Sequence, residues 1–162
     1  SMLGDVEEGR PNLGNTTDVA VYRLMQFTLR DVMTREFDVE TTNRMFYEAG
    51  ELAGRELYRN AIVNKDDLNG FLVELQELLK TLKVGILRVE KADLEKSNFT
   101  ITVAEDLDCS GLPVSDEEIC VYDEGFIAGL LSEHTGMSFS VKEVDCWCSG
   151  DRVCRFEVKS LD

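Results

Sequence analysis

The 162-residue sequence predicts an α+β fold in which an antiparallel sheet is covered by helices. Three observations lead there. Apolar residues recur at three- and four-residue spacing through three segments between residues 18 and 82. The period then changes to alternation over residues 85–91 and 98–103. A further helical segment precedes two more strands at the C-terminus. Helices and hairpins thus fall in blocks, unlike the βαβ alternation of a parallel sheet. A hydrophobic content of 43% in a chain of this length is enough for one domain with a sizeable core.

Residues 1–17 are polar, with Gly9-Arg10-Pro11 and Leu13-Gly14-Asn15 as turn signals, and are expected to form a flexible arm before a single domain, 18–162. Asp18 is the expected cap of a first helix reaching Met33, with Val21, Leu24, Met25, Leu29 and Val32 on one face. A second helix over 40–58 places Met45, Ala49, Leu52, Ala53 and Leu57 on one side. Gly50 and Gly54 lie one turn apart in it, and each mid-helix glycine costs close to ~1 kcal/mol relative to alanine. Close approach of another backbone across that ridge is the expected compensation. Asp66 or Asp67 should cap a third helix, 68–82, whose leucine stripe (Leu72, Leu75, Leu79, Leu82) is widened by Phe71 and Leu78.

The strands over 85–91 and 98–103 should be joined by a turn at 93–97, with Phe99, Ile101 and Val103 sharing a face. Residues 104–114, including Cys109, read as a loop. Ser115-Asp116-Glu117-Glu118 has the form of a capping box. The helix that it opens should carry Cys120 in its first turn, hold Ile119, Tyr122, Phe126, Ile127, Leu130 and Leu131, and end near His134, which is expected at the surface. Strands over 138–147 and 152–159 complete a hairpin with Ser149-Gly150-Asp151 at its tip.

Thirty-two acidic against seventeen basic residues give a net charge of -15, and the densest basic stretch holds only Lys80, Lys83, Arg88 and Lys91. Such a chain repels a phosphate backbone, so direct nucleic-acid binding is not expected. No apolar run reaches the ~18–20 residues that span a bilayer, and no basic-then-apolar leader opens the sequence. A cytoplasmic protein with reduced thiols is expected. Five cysteines, an odd number, fit metal ligation better than a disulfide framework.

Three of those cysteines, Cys146, Cys148 and Cys154, fall close together with the only tryptophan. On opposite arms of a hairpin, Cys146 and Cys154 can converge, but structural zinc takes four ligands. Cys148, Glu143 and Cys120 are candidates for the rest. Strict alternation turns Glu143 away from Cys146, so it would need a local bulge or a bend to join them. Taken singly, Cys120 would ordinarily be a small core residue and Glu143 a solvated carboxylate.

Glu143-x-x-Cys146, followed by Gly150-Asp151 and Cys154, resembles the C-terminal signature of the 4-vinyl reductase domain family. That family includes the sensor domains of phenol- and xylene-responsive bacterial activators. Gly9-Arg10-Pro11-Asn12-Leu13-Gly14, the Tyr22-Arg23 helix, and Tyr47-Glu48-Ala49-Gly50 with Gly54 are similar too. The resemblance implies structural Zn2+ on Cys120, Glu143, Cys146 and Cys154, leaving Cys109 and Cys148 outside the pattern. It also implies the fold of NO-signalling and Golgi-transport ligand-binding domains, a homodimer, and an apolar pocket between helices and sheet. Three thiolates and a carboxylate fill a tetrahedron, so such a site is structural; catalytic zinc keeps a position open.

One histidine, no glycine-rich phosphate loop after a strand and no Ser/His/Asp arrangement leave no catalytic residue to assign. The expected function is a zinc-stabilised module that binds or senses a hydrophobic or aromatic small molecule. Phe99, Ile101, Phe126, Leu130, Val141 and Phe156 are the candidate pocket wall. Two alternatives stand beside it: an enzyme or accessory factor in tetrapyrrole vinyl reduction, and a structural assembly subunit.

Overall fold

The computed structural model describes residues 3–112, 120–145 and 153–162. The chain divides into two compact units, Ser1–Asp38 and Val39–Asp162. The first holds α1 (Val6–Gly9) and α2 (Val19–Glu36). Asp5 caps α1 by accepting from Glu8 N at 2.9 Å, so the N-terminal segment contains a helical turn. Asp18 caps α2, accepting from Ala20 N at 2.8 Å as the sequence predicts. The helix runs three residues past the expected Met33. Val21, Leu24, Met25 and Leu29 on α2 are exposed.

The second unit contains α3 (Val39–Ala61), α4 (Leu68–Thr81), β1 (Ile86–Asp93), β2 (Asn98–Ala104), α5 (Val121–Thr135), β3 (Phe139–Asp145) and β4 (Val153–Ser160). The four strands form one antiparallel sheet in the order β1-β2-β4-β3. Its inner face carries Phe99, Ile101 and Val103 on β2, cross-strand from Val158, Phe156 and Cys154 on β4. Phe139 and Val141 continue that face on β3, and all eight are buried. The α+β architecture expected from the blocks of periodicity is the one observed.

Asp67 caps α4 by accepting from Gly70 N at 2.8 Å. Phe71, Leu75 and Leu79 form its buried stripe, while Leu82, expected on that stripe, becomes the C-cap and is exposed. The described helix α5 opens at Val121 with Cys120 as its N-cap residue. The capping-box residues 115–118 lie outside the described residues. Val121, Asp123, Gly125, Ile127, Leu130 and Ser132 are all buried, so α5 is enclosed on every side and is not a one-sided amphipathic helix.

Glycine makes that enclosure geometrically feasible. A Cβ on Gly50 would meet Phe126 N at 2.9 Å and press still closer on Tyr122 O; one on Gly54 would meet Leu130 N at 3.0 Å and Phe126 O. The relation is reciprocal, because Gly125 and Gly129 of α5 face the backbone of Tyr47 and Glu51 of α3. The close approach expected from Gly50 and Gly54 is present, and α5 contributes a matching pair.

Candidate metal centre

Three segments bring thiols together at one end of the sheet. Antiparallel pairing sets Val103 opposite Cys154, whose side chain is fully buried on the inner face. Beyond Ala104 the chain reverses, with Glu105 in the left-handed region at φ 51°. The turn is closed by Asp106 N donating to Ser110 Oγ at 2.6 Å and Ser110 N donating to Asp106 O at 3.1 Å. It delivers Cys109 to the interior, where Cys109 Sγ lies 2.8 Å from Cys154 Sγ. Cys120, at the start of α5, places its Sγ 3.7 Å from Cys154 Sγ.

All three cysteines are buried, and their sulfurs lie within 4.8 Å of one another. With Zn–S near ~2.3 Å, two thiolates on one tetrahedral ion sit about 3.8 Å apart. The Cys120–Cys154 separation matches that edge. The Cys109–Cys154 contact is shorter, so Cys109 would have to swing outward by about 1 Å to share the same ion. Buried sulfur donors suit a borderline or soft metal and disfavour a hard one.

Of the four ligands implied by the resemblance, the structure brings Cys120 and Cys154 together. Cys146 lies outside the described residues, as do Cys148 and the hairpin tip. Glu143 sits opposite Phe156, on the same inner face as Cys154. The register then slips between Glu143 and Asp145, a bulge at the position where the sequence required one. Glu143 N donates to Glu124 Oε2 at 2.7 Å. Among the described residues, the cluster of sulfurs does not include the Glu143 carboxylate. Cys109, left outside the motif pattern, is the member that sequence reasoning missed. Its residue type was the only local signal, because the turn that positions it lies between elements of regular period.

Phe99, Ile101, Leu130, Val141 and Phe156 are buried, and Phe126 is half-buried. Together they sit where the sheet's inner face meets α5. An open cleft of about 250 Å³ lies elsewhere, lined by Lys80, Lys83, Gly85, Ile86 and Glu105. His134 departs from the surface role expected of it. Its ring stacks on Phe71 at 4.5 Å between centroids, and Nδ1 lies 2.8 Å from the Tyr58 hydroxyl. Burial, followed by the Glu133 and Asp66 charges, raises the Tyr58 pKa, so the phenol keeps its proton. Burial also holds the His134 pKa below its ordinary value, against a smaller opposing pull from Asp67. His134 is therefore a neutral imidazole inside an aromatic cluster.

Among the described residues no helix is long and apolar enough to cross a membrane. The architecture is similar to that of a vinyl-4-reductase family protein from Methanocaldococcus jannaschii (TM-score 0.67, 21% identity, 100% of this chain and 96% of that one). It is also similar to the phenol-responsive sensory domain of the transcription activator PoxR with phenol (0.68, 17%, 90% and 75%). A trafficking protein particle complex subunit 3 from Naegleria fowleri, covalently bound to palmitic acid, shares the fold (0.69, 12%, 89% and 95%). An H-NOX protein from S. oneidensis does so more distantly (0.55, 12%, 84% and 74%). The fold resemblance read from the sequence is therefore borne out. Residues 99–160, which run from β2 through α5 and both C-terminal strands, match the family model of the 4-vinyl reductase domain, over the same C-terminal region in which the sequence most resembles that family.

Proposed function

We propose that this chain is a small-molecule-binding module of sensor type, fastened by a structural zinc ion at the thiol cluster. One observation carries the reading. The region matching the 4-vinyl reductase domain is the region whose strands and helix converge on Cys109, Cys120 and Cys154, in a fold shared with a phenol-responsive sensory domain. Zinc there would be held by Cys120 and Cys154, with Glu143 and Cys146 completing the set implied by the motif. The ion would tie the start of α5 to β4, and so hold the helix against the sheet. A closed thiolate site contributes folding free energy and no reaction step.

The ligand space is proposed between α5 and the inner face, at Phe99, Ile101, Phe126, Leu130, Val141 and Phe156. An apolar or aromatic molecule suits that lining, with binding driven by burial of its surface. The exposed apolar residues of α2 are consistent with a homodimer, which would remove them from water. A cytoplasmic setting would keep the thiols reduced and available to the metal. Nucleic acid is not proposed as a partner, given the charge of -15.

Native mass spectrometry of the whole chain tests metal and ligand together. One zinc per chain and a mass increment from a phenol or a medium-chain apolar compound are the expected results. Zinc-free protein from a preparation without chelators would overturn the metal assignment. Failure of every aromatic and aliphatic compound in a panel to shift the melting temperature would overturn the ligand reading. A second reading, a structural assembly subunit, is favoured by the tight burial of most of the six candidate wall residues and by the trafficking-complex neighbour. A ligand-free core and a stable heteromeric partner would support it.

A further inference from the structure

Cys109 is the thiol of the cluster that the motif does not use, yet it lies against one that the motif does. Its sulfur is 2.8 Å from Cys154 Sγ, about 0.8 Å beyond the length of a disulfide bond. Cys120 Sγ stands 3.7 Å from Cys154 Sγ, the spacing of two ligands on one tetrahedral ion. All three are thiols. The close pair is carried by two different kinds of segment. Cys154 is fixed by the ladder between β2 and β4. Cys109 rides the turn after β2, which is held by two bonds between Asp106 and Ser110 and by Leu112 N donating to Cys109 O at 3.1 Å. A short sideways movement of that turn closes the gap and leaves the sheet in place. The turn also meets solvent at once, with Ser110 half-buried and Gly111 exposed. Segments with few backbone bonds beside solvent open first, so a small reagent reaches Cys109 when the turn alone loosens.

We propose that Cys109 and Cys154 are a redox pair, whose disulfide withdraws Cys154 from the metal and so unfastens β4 from the start of α5. The oxidant is of the hydroperoxide class, ROOH. Cys109 sulfur attacks the terminal oxygen, an S–O bond forms and the O–O bond breaks. The thiol proton goes to the departing alkoxide, so ROH leaves and a sulfenic acid remains. Cys154 sulfur then attacks Cys109 sulfur, the S–S bond forms and the S–O bond breaks. The leaving hydroxide takes the second thiol proton, or one from solvent where Cys154 is bound to the ion, and departs as water. Two electrons pass from the pair of sulfurs to the peroxide. Cys154 is then no longer a thiolate, the form that binds metal. A dithiol reductant reverses the step by exchange. The bond depends only on the two side chains, whereas its effect on the metal rests on the zinc reading above.

The full chain, loaded with one equivalent of Zn2+ and cleared of excess metal, is treated with one equivalent of hydrogen peroxide, and the remaining thiols are alkylated. A chromogenic chelator follows zinc release. Digestion with trypsin and Glu-C then separates the cysteines, with Cys109 on 106–117, Cys120 on 119–124, Cys146 and Cys148 on 144–152, and Cys154 on 153–155. Mass spectrometry should find 106–117 joined to 153–155, with zinc released in step with the bond and both changes reversed by dithiothreitol. Cys109→Ser should lose the crosslink and hold its zinc at the same dose, whereas Cys148→Ser should match wild type. The peptide map is read on the wild type, so it decides the pairing whether or not a variant folds. Peptide 119–124 or 144–152 joined to 153–155 in place of 106–117 would overturn the pair. So would Cys109 recovered fully alkylated after the zinc has left. Zinc-free protein that still forms the bond would support the pair while removing the zinc reading, so the two fail separately.

Discussion

Replacing Gly54 with alanine tests why two glycines interrupt α3. In an isolated helix the change is favourable by about 1 kcal/mol, since glycine gives up more backbone entropy on folding. Here the new Cβ would stand 3.0 Å from Leu130 N and closer to Phe126 O, both main-chain atoms of α5 that no rotamer change can move. Ordinary contact would require α3 and α5 to part by on the order of 1 Å, and a gap of that size forfeits a quarter to a half of each dispersion contact along the ridge. Overpacking of this kind costs about 1–3 kcal/mol. With a rigid obstacle the upper end applies, and subtracting the helix gain leaves a net loss of about 2 kcal/mol.

For a chain of this size that loss lowers the melting temperature by about 4–8 °C. Thermal unfolding followed by circular dichroism, with urea midpoints as a second measure, reads it. Gly9→Ala is the control, because nothing lies within 4 Å of a Cβ there and φ is not positive; its midpoint should be unchanged or slightly raised. A Gly54→Ala protein as stable as wild type would refute the argument that close approach to α5 is what the glycine permits.

Three further outcomes are expected. Cys154→Ser should lose the bound metal and lower the unfolding midpoint, whereas on the motif's four-ligand set Cys109→Ser should keep it in a chelator competition; metal content by mass spectrometry checks both, and loss of metal by Cys109→Ser would put Cys109 among the ligands. Glu143→Gln keeps the backbone bond to Glu124 but removes a charge from the inner face, so on the motif set it should release zinc more readily than wild type; unchanged competition would remove Glu143 from the ligands. His134, the only histidine, gives a single Hε1 resonance in proton NMR, which should titrate with a midpoint below about 6.5. Because the folded-state pKa is depressed, the folded protein binds fewer protons than the unfolded chain in this window. This contribution to stability is therefore present above the unfolded value and lost as pH falls through the folded one; a midpoint at or above 6.5 would contradict the burial.

The sequence was legible where period and chemistry were regular. Asp18 and Asp67 mark helix starts because a carboxylate that accepts from an N-terminal amide is a local interaction. The alternation of Phe99, Ile101 and Val103 identified the inner face because a pleated strand has period two. Reading failed where position depends on the third dimension. α5 looked one-sided, yet it is enclosed by the sheet and, through its glycines, by α3. Leu82 fits the leucine spacing of α4, but the helix ends at Thr81 and leaves it outside. His134 sits near a helix end, as a solvated cation would. The apposition of Phe71 and Tyr58, contributed by two other helices, makes it neutral instead.

The thiol cluster shows the same division within one site. Glu143 required a bulge or a bend to share a face with Cys146, and that inference needed only strand geometry. The bulge lies between Glu143 and Asp145. Cys109 required knowing that β2 pairs with β4 so as to set Val103 against Cys154, and that the chain then folds back before Ser110. No periodicity encodes such a return. The same return carries Asp106 and Asp108, and the same helix start that carries Cys120 carries Asp123. Residues 106–109 thus supply two of the three carboxylates and one thiol, residues 120–123 one of each, and Cys154 on β4 the third thiol. A metal that took Cys109 beside Cys120 and Cys154 would fasten that turn to the start of α5 as well as to β4. Removal of such a metal should then loosen the turn, whereas an unchanged turn would indicate that it is held by its own hydrogen bonds.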